Sequence, residues 1–476
     1  MALFGDRYMW RQYAILLTDF VCSISSGFLL AFPSVLNPAI LSPNSTDIKA
    51  TSAQASSIAG SQGLAGAAGL VLLPFCMNSI GRKSVHIVIN FVMGFGFLIF
   101  SLATNILYLY AGRIIQGVIL SGVYVTSIMV AEYSDPTRRG YFITIKKGSV
   151  ALGSLTCHLM GIYCTWRQCA IFAIFPNILA IIMTLYWPES PSYLAMKGRY
   201  KECEKSHKWL FGENSEQMKN LEDIIAAQRE RRSREKNKNP LRTTITKMFK
   251  KDYVIPFVVV SLLTIIIDCS GRYYMNAYIG QILTEMIDKK SVANYFALGS
   301  DTLGIIALIC SCFIIKMFGR RQNLFGFGAV CVMLMYLISI LTYLKSNYPQ
   351  IVFGLLPSIV ILVNVFIVNV GIIPTCFTIV GEIFPLEHKS SGIFTTGIVF
   401  NLFYAAVLKF TPLMIEYGGI QVTFAVFATI NLICFLILYF ILIETKDKTL
   451  QEIENELKGI KSPCSNEQLL MEHQKN

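Results

Sequence analysis

Charge is what this sequence lacks. Of 476 residues only 15% are Asp, Glu, Lys or Arg, where a soluble domain carries about 25%. So few charges cannot cover a water-facing surface, which makes a soluble enzyme or a nucleic-acid-binding domain a poor reading. Tryptophan is scarce too, with four residues, and none lies in the interior of a predicted span. A Cys-x-x-Cys zinc pair and a G-x-x-x-x-G-K-[ST] phosphate loop are both missing, so no metal, nucleotide or ATP-driven step is expected. What the chain does have is 54% hydrophobic residues, 12% aromatic residues and a mean hydropathy of +0.54. Those figures exclude disorder, which requires low hydrophobicity and high charge. They leave an all-α membrane protein with many spans, no cofactor and no catalytic chemistry.

A bilayer core of about 30 Å takes roughly 20 apolar residues per helix. Six such segments lie in the first half, at residues 14–35, 57–77, 85–103, 107–131, 142–163 and 170–187. Six more follow, at 254–278, 294–317, 324–344, 351–380, 392–414 and 422–443. The expected organisation is an N-terminal six-helix bundle (1–187), a cytoplasmic linker (188–253), a C-terminal six-helix bundle (254–443) and a cytoplasmic tail (444–476). The first span has no cleavage site followed by a soluble domain, so it reads as an uncleaved helix.

The formal net charge is +12, and residues 189–252 hold 16 Lys and Arg against 10 Asp and Glu, a balance of +6. Half of the excess therefore sits between the two hydrophobic halves. Arg82-Lys83, Arg138-Arg139, the linker, Arg320-Arg321 and His388-Lys389 occupy alternate loops. Positive-inside bias makes that side cytoplasmic, together with both termini. The acceptor triplet Asn44-Ser45-Thr46 then lies outside, where Asn44 is a candidate glycosylation site. Within the linker, Met218, Leu221, Ile224 and Ile225 repeat at helical spacing, predicting one short amphipathic helix against the ends of the spans. Most of the 13 cysteines fall in apolar runs and behave as small hydrophobes. Cys164 and Cys169 share a short outer loop, where a disulfide is conceivable.

The two halves echo each other. Gly81-Arg82-Lys83 after the second span matches Gly319-Arg320-Arg321 after the eighth. Glu132 and Arg139, seven apart, match Glu382 and Lys389, also seven apart. Pro188-Glu189-Ser190 after the sixth span matches Ile443-Glu444-Thr445 after the twelfth. Paired six-helix repeats are the architecture of secondary transporters, which place a solute near the bilayer midplane. An Arg113 within the fourth span is costly unless paired, and Glu132 and Glu382 are candidate partners.

On these motifs, with Gly112-Arg113, the run Pro188 to Leu194, and Gly381-Glu382-Ile383-Phe384-Pro385, the chain resembles the sugar-porter branch of the major facilitator superfamily. Within it, the sequence looks like the insect facilitated trehalose and hexose transporters. The resemblance covers nearly the whole chain. It implies a facilitative sugar carrier working by alternating access, probed as a hexose or trehalose transporter in the plasma membrane. It also implies a cytoplasmic gate of Arg82, Lys83, Arg113, Glu132, Arg139, Arg320, Arg321, Glu382 and Lys389. A lysine lacks the guanidinium fork, so Glu382 with Lys389 is expected to latch less firmly than Glu132 with Arg139.

The sugar-binding positions depart from the family pattern. The glutamine pair expected before Ser270-Gly271 is Ile267-Asp268, and the following asparagine is Tyr273. A glutamine in the fifth span is Lys147, a tryptophan in the tenth is Thr375, and the surviving Asn401 is followed by Leu402. The resemblance thus assigns the substrate cavity to Lys147, Asp268, Ser270, Tyr273, Thr375 and Asn401. A lone charge at mid-membrane costs at least about 2.5–3.5 kcal/mol, which motivates an ion pair between Lys147 and Asp268. In the alternative, Lys147 snorkels with Lys146 toward the cytoplasm and Asp268 faces water. Asp19 and Asp301 are further intramembrane acids. A charged or amphoteric solute, proton coupling through Lys147 and Asp268, and a transport-inactive membrane sensor therefore stay open beside the sugar carrier.

Overall fold

The structure, a computed structural model, describes residues 7–42, 48–134, 139–235, 251–287, 290–348, 354–384, 389–446, 448 and 450–457. Asn44 and the side chains of Arg139 and Lys389 lie outside the described residues. Among the described residues every regular element is a helix, and nine are long and apolar enough to cross a membrane. Three further features bring the number of spans to twelve. Residues 106–133 form one span from two end-to-end helices, α4 (Ile106–Leu120) and α5 (Gly122–Tyr133). The 25-residue α6 (Arg139–Tyr163) spans despite carrying Lys146 and Lys147. The 53-residue α18 (Lys389–Ile441) breaks at Gly419, whose φ of 74° suits glycine and splits the helix into two spans. Phe75, Phe91, Phe313 and Phe440 are each more than 60% exposed, a surface suited to a lipid environment.

The first half holds α1 (Arg7–Leu41), α2 (Ser52–Ile80), α3 (Arg82–Ser101), α4, α5, α6, α7 (Trp166–Phe172) and α8 (Ile174–Leu185). Lipid supplies no hydrophobic drive for helices to associate, so close backbone approach must do it. Glycines permit that approach between α1 and α6: a Cβ on Gly27 would lie 1.9 Å from the Val150 carbonyl oxygen, and one on Gly153 2.0 Å from that of Ile24. An aromatic knot fills the space beside them, with Phe28 and Phe32 edge-on to Phe97 at 6.1 and 5.7 Å.

The linker contains three helices rather than one: α9 (Pro191–Lys197), α10 (Tyr200–Phe211) and α11 (Ser215–Glu235). Leu221, Met218 and Ile225 bury against Tyr193, Leu194, Ala195 and Cys203, so the apolar face of α11 packs on α9 and α10. It is α10 that meets a span: Arg11 donates to the Trp209 carbonyl at 2.7 Å and lies 4.6 Å over its ring. Cys164 and Cys169 are free thiols, not a disulfide.

The second half holds α12 (Lys251–Cys269), α13 (Tyr274–Met286), α14 (Lys290–Met317), α15 (Arg320–Asn347), α16 (Leu356–Ile367), a π-helical turn (Val368–Ile372), α17 (Ile373–Glu382), α18 and the tail helix α19 (Leu450–Leu457). The seventh span is broken at Gly271, where φ is 104°. Two compact units result. One comprises residues 1–238 with 273–305 and 404–413; the other comprises 239–272, 306–403 and 414–476. Within the first, Tyr278 donates to the Leu408 carbonyl at 2.6 Å, and Gly63 lets α2 approach Ala405.

Candidate functional site: repeated charge clusters and a polar cavity

The loops that join α2 to α3 in the first unit and α14 to α15 in the second are both rich in basic side chains. In the first unit, Arg82 forks onto Glu132, with Nε 2.9 Å from Oε2 and Nη2 2.9 Å from Oε1. Ser190 donates to the same carboxylate at 2.5 Å. Glu189 sits at the start of α3, where its Oε1 accepts the backbone N–H groups of Arg82 (2.9 Å), Lys83 (3.2 Å) and Ser190 (2.8 Å). A carboxylate there satisfies orphan donors and the positive helix terminus together. Gly81 permits the arrangement: its φ is 99°, and a Cβ would lie 2.1 Å from Glu189 Oε2. Lys83 donates to the carbonyls of Leu185 (2.9 Å) and Trp187 (2.7 Å), capping α8.

The second half repeats the cluster residue for residue, with a weaker Arg–Glu contact. Glu444 accepts from the backbone N–H groups of Arg320 (2.8 Å), Arg321 (2.9 Å), Thr445 (3.0 Å) and Lys446 (3.0 Å). Partial burial disfavours its charge, yet these four donors outweigh that and hold the carboxyl below its ordinary value of 4.5. Thr445 donates to Glu382 at 2.6 Å, and Arg321 caps the end of α18 through the carbonyls of Leu442 and Tyr439. Arg320, however, reaches Glu382 through one contact of 3.3 Å, where Arg82 makes a fork. Glu189, Ser190, Glu444 and Thr445 are visible in sequence as matched loop motifs, but spacing alone assigns them no partner.

Arg113 does not join Glu132 or Glu382. It is fully buried, donates to Gln62 Oε1 at 3.0 Å and the Leu29 carbonyl at 3.2 Å, and lies over the rings of Phe32 and Phe100. Seven residues into a span that starts at the opposite end, it is too far along the helix to reach the basic loops. An amide and two aromatic faces hold the guanidinium in place of a carboxylate.

The expected Lys147–Asp268 pair would join residues of the two separate units. Asp268 is fully buried and neither of its carboxylate oxygens has a hydrogen-bond partner. The charge pair lies one residue earlier on α6. Lys146 is buried, 3.7 Å from Asp19 of α1, and donates to Thr126 and Ser127. The expectation that Lys146 snorkels outward is therefore also corrected, while Lys147 is half-buried. Successive residues on a helix point about 100° apart, and α1 faces the Lys146 side. Of the remaining expected cavity residues, Ser270 accepts from Asn431 at 3.3 Å and Thr375 from Asn323 at 3.1 Å. Asn401 is buried and donates to the Gly397 carbonyl. Tyr273 meets Tyr404 edge-on at 5.1 Å.

The first unit carries a cavity of 840 Å³ at the end opposite the basic loops, lined by α1, α6, α7, α13 and α14. His158, Trp166, Gln281, Glu285 and Asn294 contribute its polar and aromatic surface. His158 meets Asp301 at 2.5 Å, Nδ1 to Oδ2. Asp301 is noticeable in sequence as an acid within a span, whereas nothing in the pattern marks His158.

Comparison with known proteins decides the family. The profile described as "Sugar (and other) transporter" matches residues 20–457. The chain belongs to that family. It is 24% identical over 454 residues to the facilitated trehalose transporter Tret1 of Bombyx mori, covering 94% of this chain and 87% of the relative. It is 26% identical over 414 residues to the arabinose-proton symporter of Bacillus subtilis, covering 82% and 84%. In fold it is similar to the inward-open xylose transporter XylE from E. coli, with a TM-score of 0.75 at 17% identity over 93% of this chain and 99% of that one. This transporter-family member is accordingly a multi-pass membrane protein of the major facilitator fold and not an enzyme.

Proposed function

We propose that the protein carries a sugar, a hexose or trehalose, across the membrane by facilitated alternating access. The observation that carries this reading is the duplicated Arg–Glu–hydroxyl–Glu cluster, 82/132/190/189 and 320/382/445/444, on a chain of the sugar transporter family. Duplicated six-helix repeats with matching helix-end clips are what a rocking carrier uses, and a binding-only protein has no need of them. Charge asymmetry of the loops supports cytoplasmic termini. The resemblance assigns solute contacts to Lys147 and Tyr273 in the first unit and to Asp268, Ser270, Thr375 and Asn401 in the second.

A second reading, a charged or amphoteric solute or a coupled proton, draws on Asp268: an ionisable group buried in a span without a hydrogen-bond partner marks a functional site, for a solute charge or a proton. Counterflow in liposomes with labelled trehalose, glucose and organic ions separates the two. Saturable exchange of a sugar is expected. Exchange of ions alone favours the second reading, and solute binding without any exchange overturns both in favour of a sensor.

A further inference from the structure

We infer that His158 and Asp301 form a proton-binding site, which holds one proton while α6, α13 and α14 are packed together and gives it up when they part. The argument is a count of donors and acceptors. His158 Nδ1 faces the Asp301 carboxyl at 2.5 Å, and Nε2 faces the Asn276 carbonyl oxygen at 3.2 Å. A backbone carbonyl only accepts, so Nε2 carries a hydrogen. The contact between Nδ1 and Oδ2 needs a second hydrogen, on either atom. Imidazolium with carboxylate and imidazole with carboxylic acid both satisfy this, and both contain the same two protons. A neutral imidazole beside an ionised carboxylate contains one and leaves two acceptors face to face. Geometry thus binds one proton beyond the ordinary state of the two groups at neutral pH.

The surroundings favour that proton. Both side chains are less than 10% exposed, and a net charge of −1 in a span costs about 2.5–3.5 kcal/mol where a neutral couple does not. Few titratable groups face it. Cys157, next along α6, is fully buried and lies within the field of Asp301, Arg113 of α4 and Cys169 of α7. Glu285 of α13 lines the shared cavity, and α1 brings Ser34 and no charge. No basic side chain takes the place of the proton among these groups except Arg113, which Gln62 and Leu29 already engage. His158 lines the 840 Å³ cavity, giving the proton a path. Release follows separation, since an isolated histidine at neutral pH loses it.

The test does not depend on which solute is carried. The full chain, purified in detergent, is melted between pH 6 and 8.5 alongside His158→Gln, Asp301→Asn and the double variant, whose two amides keep a hydrogen bond without a titrating proton. The wild type is expected to lose stability as pH rises, its unfolding constant climbing by up to about tenfold per pH unit, while the variants lose that component. Parallel profiles for wild type and variants overturn the proposal. A second measurement needs no substitution. With ¹⁵N-labelled histidine, one of the five imidazoles is expected to keep both ring nitrogens hydrogen-bonded at pH 8. Five ordinary neutral rings, each with a free nitrogen, also overturn it.

Discussion

Removing Lys146 from its pair with Asp19 should damage the protein more than removing both charges. The two groups lie 3.7 Å apart and each is about 5% exposed. At an effective dielectric of 20 their attraction is about 4 kcal/mol, against an insertion cost of about 2.5–3.5 kcal/mol for each charge. The pair is therefore a net cost of about 1–3 kcal/mol, but it makes each charge tolerable. Lys146→Met strands Asp19 among α1, α5 and α6 and should cost about 3–5 kcal/mol, as for other broken buried pairs. The double variant Lys146→Met, Asp19→Leu should match wild type or exceed it by up to about 3 kcal/mol, giving a coupling of at least about 2 kcal/mol. SDS-titration unfolding in micelles, followed by tryptophan fluorescence, measures all four corners of the cycle. A double variant that loses the sum of the two single losses would refute the reasoning and reduce the contact to coincidence.

The glycines before the basic pairs should respond unequally. Gly81→Ala meets both a φ of 99° and a Cβ position 2.1 Å from Glu189, while Gly319 has an ordinary φ of −63° and 2.7 Å to Glu444; the melting temperature should fall further for the first. The Glu444 carboxyl, held below 4.5 by backbone donors, contributes fully above that pH and loses its contribution as pH falls through the lowered native value. The difference in melting temperature between wild type and Glu444→Gln should accordingly shrink between pH 5 and pH 3.

Much of the fold is legible in the residues because a bilayer imposes one length and one composition on every span. The last two spans show it: residues 392–414 and 422–443 read as two segments, and the chain breaks between them at Gly419. The site is less legible. Loop motifs reveal that Arg82, Glu132, Arg320 and Glu382 matter, because repetition is a property of sequence. Their partners are a property of angle around a helix, and one residue's difference moved the buried pair from Lys147 to Lys146. His158 escapes notice for the same reason, since its meaning comes from Asp301, 143 residues away.

Among the described residues each charge cluster is built within one half, and this changes what the basic loops do mechanically. In the first half the guanidinium comes from the start of α3, the carboxylate from the end of α5, and the second carboxylate and hydroxyl from the segment after α8. Three helix ends are thereby clipped together, with Lys83 holding the last turn of α8 as well. The second half does the same with α15, α17 and the segment after α18. Clips of this kind keep the ends of one half moving as a body, so the segments at 188–190 and 443–445 belong to the moving parts rather than to passive tethers. The Arg82 fork is closer and less exposed than the single Arg320 contact, with carboxylate exposures of 14% and 30%, so the second clip is the weaker of the two.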